Sequence, residues 1–294
     1  MSAVDLDLEG EPPLRATLRR MRHHKGIVFG GVVVVIFMLL AVFAPLLTPY
    51  DYATQNIANR MVPPVWAGGN WTHPFGTDHL GRDYLARLLY GTRISVIVGV
   101  GASTIGCCIG VTLGLAAGYW GGRVDRFVSF LLACQLAMPT ILLAMALVFI
   151  IGPSTLVVIC VVGVLHWNLF LVVTRAATMR VREMEFVQAS RALGASPMPI
   201  ITHDVLPNVT SHIIVIYTFE FGKAILAEAT LSFLGVGVPA PAPSWGLMIA
   251  EGRNALFFQP WLVIIPGAAL FLLVIAVNLM GDGLRDVTAP EARQ

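Results

Sequence analysis

The 294-residue chain carries 19 Lys and Arg against 17 Asp and Glu, is 56% hydrophobic and only 12% charged, and has a mean hydropathy of +0.77. Soluble domains hold about 25% charged residues, so this composition excludes an ordinary soluble domain, while the net charge of +2 says little beside where the charges fall; no nucleic-acid partner is expected. It is the composition of an integral membrane protein, and Cys107, Cys108, Cys134 and Cys160 lie in apolar runs as small buried hydrophobes, with no disulfide or metal spacing.

In chain order, residues 1–13 are acidic, hold two prolines and read as disordered. A basic collar of Arg15, Arg19, Arg20, Arg22 and Lys25 follows, closing an N-terminal tail over 1–26. A span needs roughly 20 apolar residues to cross about 30 Å of hydrocarbon. Residues 27–47 meet this. With Val42 and Pro45 around Ala44, and a run longer than a signal core, they read as a retained anchor. Residues 48–92 form a long external loop containing Pro63-Pro64, Trp66 and Gly68-Gly69. In it, Gly76, Gly81, Arg82 and Asp83 either contact another protein of a complex or make a glycine-fixed turn with a local ion pair, the reading favoured because adjacent opposite charges at a membrane edge often pair locally. His73, Asp78 and His79 have a spacing too common to argue for a metal.

The second span, 94–120, repeats glycine every four residues at Gly106, Gly110, Gly114 and Gly118, a stripe that permits close helix–helix approach. Residues 127–174 hold no charge and are too long for one span, so Gly152-Pro153-Ser154 is expected to divide them into spans three and four. In span four, His166, Trp167 and Asn168 either line a path or bond to a neighbouring helix. The fifth span, 213–234, carries Glu220, Lys223 and Glu228. Ionisable groups at this depth are functional candidates by default. Glu220 and Lys223 share a helix face and can pair. Glu228 has no evident partner in its own helix. These three are the candidate translocation path or gate. The sixth span occupies 261–280, followed by a tail from 283 to 294.

Between spans four and five lies a polar, helix-prone segment from Glu185 to Gly194. Phe186, Val187, Ala189, Ala192 and Leu193 recur at helical spacing, with Gln188, Ser190 and Arg191 between them. Gly194 suits a helix C-terminus and is expected to admit no large side chain. The segment therefore has a face to dock on another protein; an interfacial helix on lipid would carry more than Arg191 as its basic residue. Ser196 is expected to cap a second short helix reaching His203 or Leu206, with Pro197 and Pro199 at positions that cost no helical N–H bond. Pro207 would then turn the chain into span five. Of the 19 Lys and Arg, thirteen fall in the two tails and the loops after spans two and four, and five on the opposite side. The positive-inside rule then predicts that both termini and the docking loop are cytoplasmic.

Gln188-Ala189-Ser190, followed three residues later by Gly194, resembles the EAA loop of permease subunits of ATP-binding cassette importers, whose usual first and third residues are Glu and Ala. The resemblance implies that Glu185, Gln188, Ala189, Ser190, Arg191, Ala192, Leu193 and Gly194, with Pro207, belong to an ATPase-coupling loop over 175–210. Three further segments are similar to the C-type permeases for dipeptides, oligopeptides and nickel. These are Phe75-Gly-Thr-Asp-His-Leu-Gly-Arg-Asp83, Glu228-Ala-Thr-Leu-Ser-Phe-Leu-Gly235 continuing into Pro241-Ala-Pro-Ser-Trp-Gly246, and Asn278-Leu-Met-Gly-Asp-Gly-Leu-Arg-Asp286. The family's usual Asp-Pro ending is met only loosely, by Thr288-Ala289-Pro290. The resemblance implies an all-α membrane protein with six transmembrane helices in the type I importer fold, its type-1 transmembrane domain over 93–282. It also implies a B-type permease as heterodimer partner, two cytoplasmic ATP-binding subunits and an extracytoplasmic substrate-binding protein.

The chain has no Gly-rich phosphate loop ending in Lys-Ser/Thr, so ATP hydrolysis is expected in partner subunits, with no catalytic residue, cofactor or metal here. The substrate expected is a di- or oligopeptide, with nickel, glutathione or another small solute as the alternative. An ion-coupled secondary transporter would use Glu220, Lys223 and Glu228 near the midplane but leaves the docking loop without a role. A membrane-embedded enzyme would need a nucleophile and base, or metal ligands, at one depth, and the spans carry no such set.

Overall fold

The computed structural model describes residues 19–288. Residues 1–13, Arg15, Arg293 and the Ala289-Pro290 ending lie outside the described residues. Helices account for nearly all regular structure, and among the described residues the sole β-bridge joins Thr77 to Asp83. Five helices are long and apolar enough to cross a membrane, and a bent pair brings the count to six.

Helix α1, Lys25–Leu47, buries Gly30, Phe37, Ala41 and Ala44 and leaves Val28, Val32, Val35, Leu39, Val42 and Leu46 exposed. One helical stripe thus packs on protein, and the rest is an exposed apolar surface. Helix α2, Tyr84–Trp120, starts ten residues before the predicted span. The Asp83 carboxylate caps it by accepting from Ala86 N at 2.7 Å, and Arg87 and Arg93 lie within it. The loop before it therefore ends at Asp83. Charge count hid these first turns: Arg87 is fully buried in the helix, while Arg93 is exposed on it.

Helices α3, Gly122–Leu136, and α4, Thr140–Ile151, are bent by 84° at Ala137-Met138-Pro139. Proline removes an amide donor and disfavours helix in the residue before it. The predicted break at Gly152-Pro153-Ser154 is also present, with Ser154 Oγ accepting from Val157 N at the start of α5, Thr155–Leu165. Helix α6, Asn168–Arg182, continues that span after an interruption at His166-Trp167.

Helix α7, Glu185–Ala192, covers the segment that the sequence marks as a candidate for docking. Helix α8 then runs unbroken from Pro197 to Phe233. A separate short helix ending at a Pro207 turn is not what forms. Pro207 has no N–H for the usual i−4 carbonyl, and a π-helical turn over Ile200–Val205 precedes it, so the helix continues through the proline. Ser196 holds the N-cap position, but its hydroxyl makes no capping bond. A short helix that composition did not predict, α9 (Trp245–Gly252), precedes α10, Trp261–Thr288.

The core is held by close approach. The glycine stripe of α2 faces the broken span: a Cβ at Gly106 would lie 2.8 Å from His166 O, and one at Gly118 2.7 Å from Thr178 Cβ. At Gly110 it would press on Trp167 O. Removing these side chains lets two helices touch backbone to backbone, where dispersion and polar contacts replace the missing hydrophobic drive in lipid. Trp245, fully buried, donates from Nε1 to Leu88 O at 3.2 Å and packs edge-on to Phe37 at 5.6 Å, joining α9 to α2 and α1.

Candidate functional site: the docking loop and the charged clusters

Helix α7 ends in a Schellman arrangement. Gly194 N donates to Arg191 O at 3.0 Å and Ala195 N to Ser190 O at 3.1 Å, with Gly194 at φ +82°. A Cβ at Gly194 would meet nothing within 4 Å. Backbone conformation, not side-chain size, is therefore what requires glycine here, contrary to the sequence expectation. The exposed face also differs from the expected apolar set. Val187 is fully buried against Leu115, Tyr119, Val181, Ile200 and Val205 of its own chain. Phe186, Ala189, Ala192 and Leu193 face outward, Leu193 at 88% exposure, and Met198 at the start of α8 extends this apolar surface. Glu185 and Gln188 are exposed, Ser190 and Arg191 are half-buried, and Pro207 is exposed on α8.

Deeper in the spans, Glu220 is buried and both its oxygens are used. Oε1 accepts from Lys223 Nζ at 2.9 Å, and Oε2 lies 3.0 Å from His166 Nδ1. His166 was a candidate from sequence, but its partner was not legible, because it lies 54 residues away. Its position follows from the break in the α5–α6 span, where Leu165 O, freed from the helix, accepts from Gln135 Nε2 of α3 at 2.5 Å. Backbone freed at membrane depth must find such partners. His166 also borders a recess of about 140 Å³, lined otherwise by Thr140 and by apolar residues that include Ile141, Ala144, Leu165 and Ala227. Lys223 is 56% exposed. A lysine so placed in a span faces protein or water, not lipid.

Glu228 stands apart from this group. It is fully buried, and its Oε1 accepts from Ser232 Oγ at 2.6 Å. Ser232 Oγ in turn accepts from Val238 N at 3.1 Å, and Ser244, the cap of α9, lies beside the same carboxylate. The partner missing from the sequence reading is one helical turn away, and the group ties the 234–244 loop to α8.

The opposite end of the molecule holds a third cluster. Asp78 Oδ2 accepts from Arg82 Nε and Arg87 Nη1, both at 2.6 Å. Glu251 of α9 accepts from the same two guanidiniums, at 3.1 Å and 2.5 Å. Asp83 Oδ2 lies 2.8 Å from His73 Nδ1. Arg82 and Asp83 do not pair with each other as the sequence suggested: Arg82 binds Asp78 four residues before it and the distant Glu251, and Asp83 pairs with His73 and caps α2. Burial alone would raise the Asp78 pKa, but Arg87, Arg82 and the backbone N–H groups of Arg82 and Leu80 outweigh it and hold the carboxyl below its ordinary range. His79 falls near Asp78 and Glu251, with one ligand atom of each within 4.8 Å of the others. Both carboxylates are already engaged by guanidiniums, whose charge opposes a metal ion there.

Residues 110–294 match the family model described as "Binding-protein-dependent transport system inner membrane component", and residues 12–64 match the N-terminal domain of oligopeptide transport permease C. The chain is 40% identical over 281 residues to a dipeptide transport system permease protein of Alkalihalophilus pseudofirmus, covering 96% of this chain and 91% of that protein. It is 37% identical to one of Haemophilus influenzae, over the whole of both chains. Among solved structures, an inward-facing form of the MetNI methionine ABC transporter aligns with TM-score 0.56 at 20% identity, covering 69% of this chain and 95% of that one, a likeness of fold. With its broken and continuous spans, the family model over 110–294 and these full-length relatives, this multi-pass membrane chain belongs to the inner membrane permease components of binding-protein-dependent transport systems.

Proposed function

We propose that this permease forms half of the translocation path of an importer for di- and oligopeptides, powered by two separate ATP-binding subunits that dock on α7. The partner across the path is a B-type permease, and a binding protein delivers substrate on the far side. The observation that carries the docking role is the outward apolar surface of Phe186 on α7 and Leu193 at its C-cap, closed by Gly194 and extended by Met198 at the start of α8. The peptide substrate rests on the full-length likeness to dipeptide permeases. The half-exposed Lys223, its partner Glu220 and the recess beside His166 support a place for that group along the path. Glu228 acts as an anchor for the loop before α9.

ATP-dependent peptide uptake by proteoliposomes holding all subunits tests the function, and uptake without ATP overturns it. Leu193→Asp removes an exposed leucine that makes no core contact. It is expected to lower co-purification of the ATPase subunits at least tenfold while the two permeases still co-purify. Undiminished ATPase recovery would remove α7 as the contact.

The cytoplasmic assignment of both termini and of loop 175–210 rests on charge placement. A cysteine at Thr72 is expected to react with an impermeant maleimide in intact cells, and one at Ser196 only after lysis; both positions are exposed. The reverse pattern would invert the topology.

A further inference from the structure

We infer that Tyr119, Arg182 and Arg191 are positioning residues that carry a displacement of the docking helix into α2. The inference rests on reading α7 as the ATPase contact. Three ties join α7 to the end of α2. The Arg191 guanidinium lies over the Tyr119 ring, 4.9 Å from its centroid. Val187 packs in the apolar cluster that contains Leu115 and Tyr119 of α2. A polar chain supplies the third: Gln188 Nε2 reaches Glu183 Oε2 at 3.4 Å, Glu183 pairs with Arg182 at 2.9 Å, and Arg182 Nη1 donates to Gly118 O at 3.3 Å and Tyr119 O at 3.1 Å. Those carbonyls close the helix, where the last turn has no amide of its own to receive.

What lies at the other end of α2 gives these ties their consequence. The helix has 37 residues without a break, about 55 Å at 1.5 Å per residue. Its first turn holds Arg87, bound to Asp78 of the preceding loop and to Glu251 of α9. Along its length the glycine stripe seats it on α6. The rod is therefore gripped at one end by the docking helix and at the other by the cap cluster. A push on α7 can reach the cap through one element. The alternative route, through α8, begins at the π turn over Ile200–Val205, a less regular connection.

The test uses the complete complex in proteoliposomes, measuring peptide taken up per ATP hydrolysed. Tyr119→Phe keeps the ring and is expected to stay within twofold of wild type. Tyr119→Leu keeps apolar bulk but loses the ring face, and the ratio is expected to fall at least tenfold with ATPase subunits still recovered in full. Arg191→Gln, at a half-buried surface position, is expected to give the same loss. Combining it with Tyr119→Leu should add nothing, because both act on one contact. An unchanged ratio in Tyr119→Leu, or losses that multiply in the double variant, would overturn the inference. Should Tyr119→Leu fail to assemble, the ratio in Arg191→Gln decides. Failure of the underlying reading has a separate signature, since there Leu193→Asp keeps its ATPase subunits.

Discussion

Arg87→Met is expected to destabilise the permease by about 3–5 kcal/mol, the cost of removing one partner from a buried ion pair. The Arg87 side chain is fully buried, and Nη1 bridges Asp78 at 2.6 Å and Glu251 at 2.5 Å. Methionine fills much of the same volume, so the loss isolates charge. Asp78 and Glu251 would be left to share Arg82, with one negative charge uncompensated in a covered site. The check is the thermal midpoint of the purified complex in detergent, together with its yield. A midpoint unchanged within a degree or two would show that the cluster is replaceable. Arg87→Lys should fall between the two, because an ammonium keeps the charge but sits on a shorter side chain than the one that carries Nη1 to both carboxylates. The same cluster sets a pH dependence. The Asp78 pKa is lowered from its ordinary 3.8, so its contribution is fully present above that value and is lost as the pH falls through the lower folded value. Between pH 5 and 8 this group should leave stability flat.

Much of this architecture could be read from composition because lipid imposes a strong rule: a span must be apolar and internally bonded. That rule located the six spans and the break at Gly152-Pro153-Ser154. It failed wherever protein, not lipid, surrounds the backbone. The first turns of α2 were missed because Arg87 is satisfied by Asp78 and Glu251, residues far apart in sequence. The bend at Ala137-Met138-Pro139 carried a local signal in Pro139, obscured by the uncharged run around it. Helix α7 was legible because its helical period, its C-terminal glycine and its polar residues agree. Which of its apolar residues face outward was not, since Val187 turns inward to meet Tyr119 and Ile200. Glu220 and Lys223 could be paired from their spacing alone. His166 could not be joined to them, because no local pattern reports a contact across 54 residues.

Two roles for the Glu220–Lys223 pair predict different outcomes when its charges are removed one at a time and then together. Glu220→Ala leaves Lys223 as an unpaired cation in a span and His166 without its carboxylate. Complex yield is expected to fall severalfold, since an uncompensated charge at this depth is costly. The cost is tempered by the 56% exposure of the Lys223 side chain, where solvent or a partner subunit can compensate. Lys223→Ala alone should be milder, because Glu220 keeps its contact with His166. The double variant Glu220→Ala/Lys223→Ala removes both charges and should restore most of the yield, as neutral replacements of an ion pair often do. Uptake in that restored complex is the deciding measurement. If the charges serve the path, uptake stays at least tenfold below wild type although assembly and ATPase docking have recovered. If the pair only fixes packing between α8 and the broken span, uptake returns with yield, and the polar group beside the recess is structural.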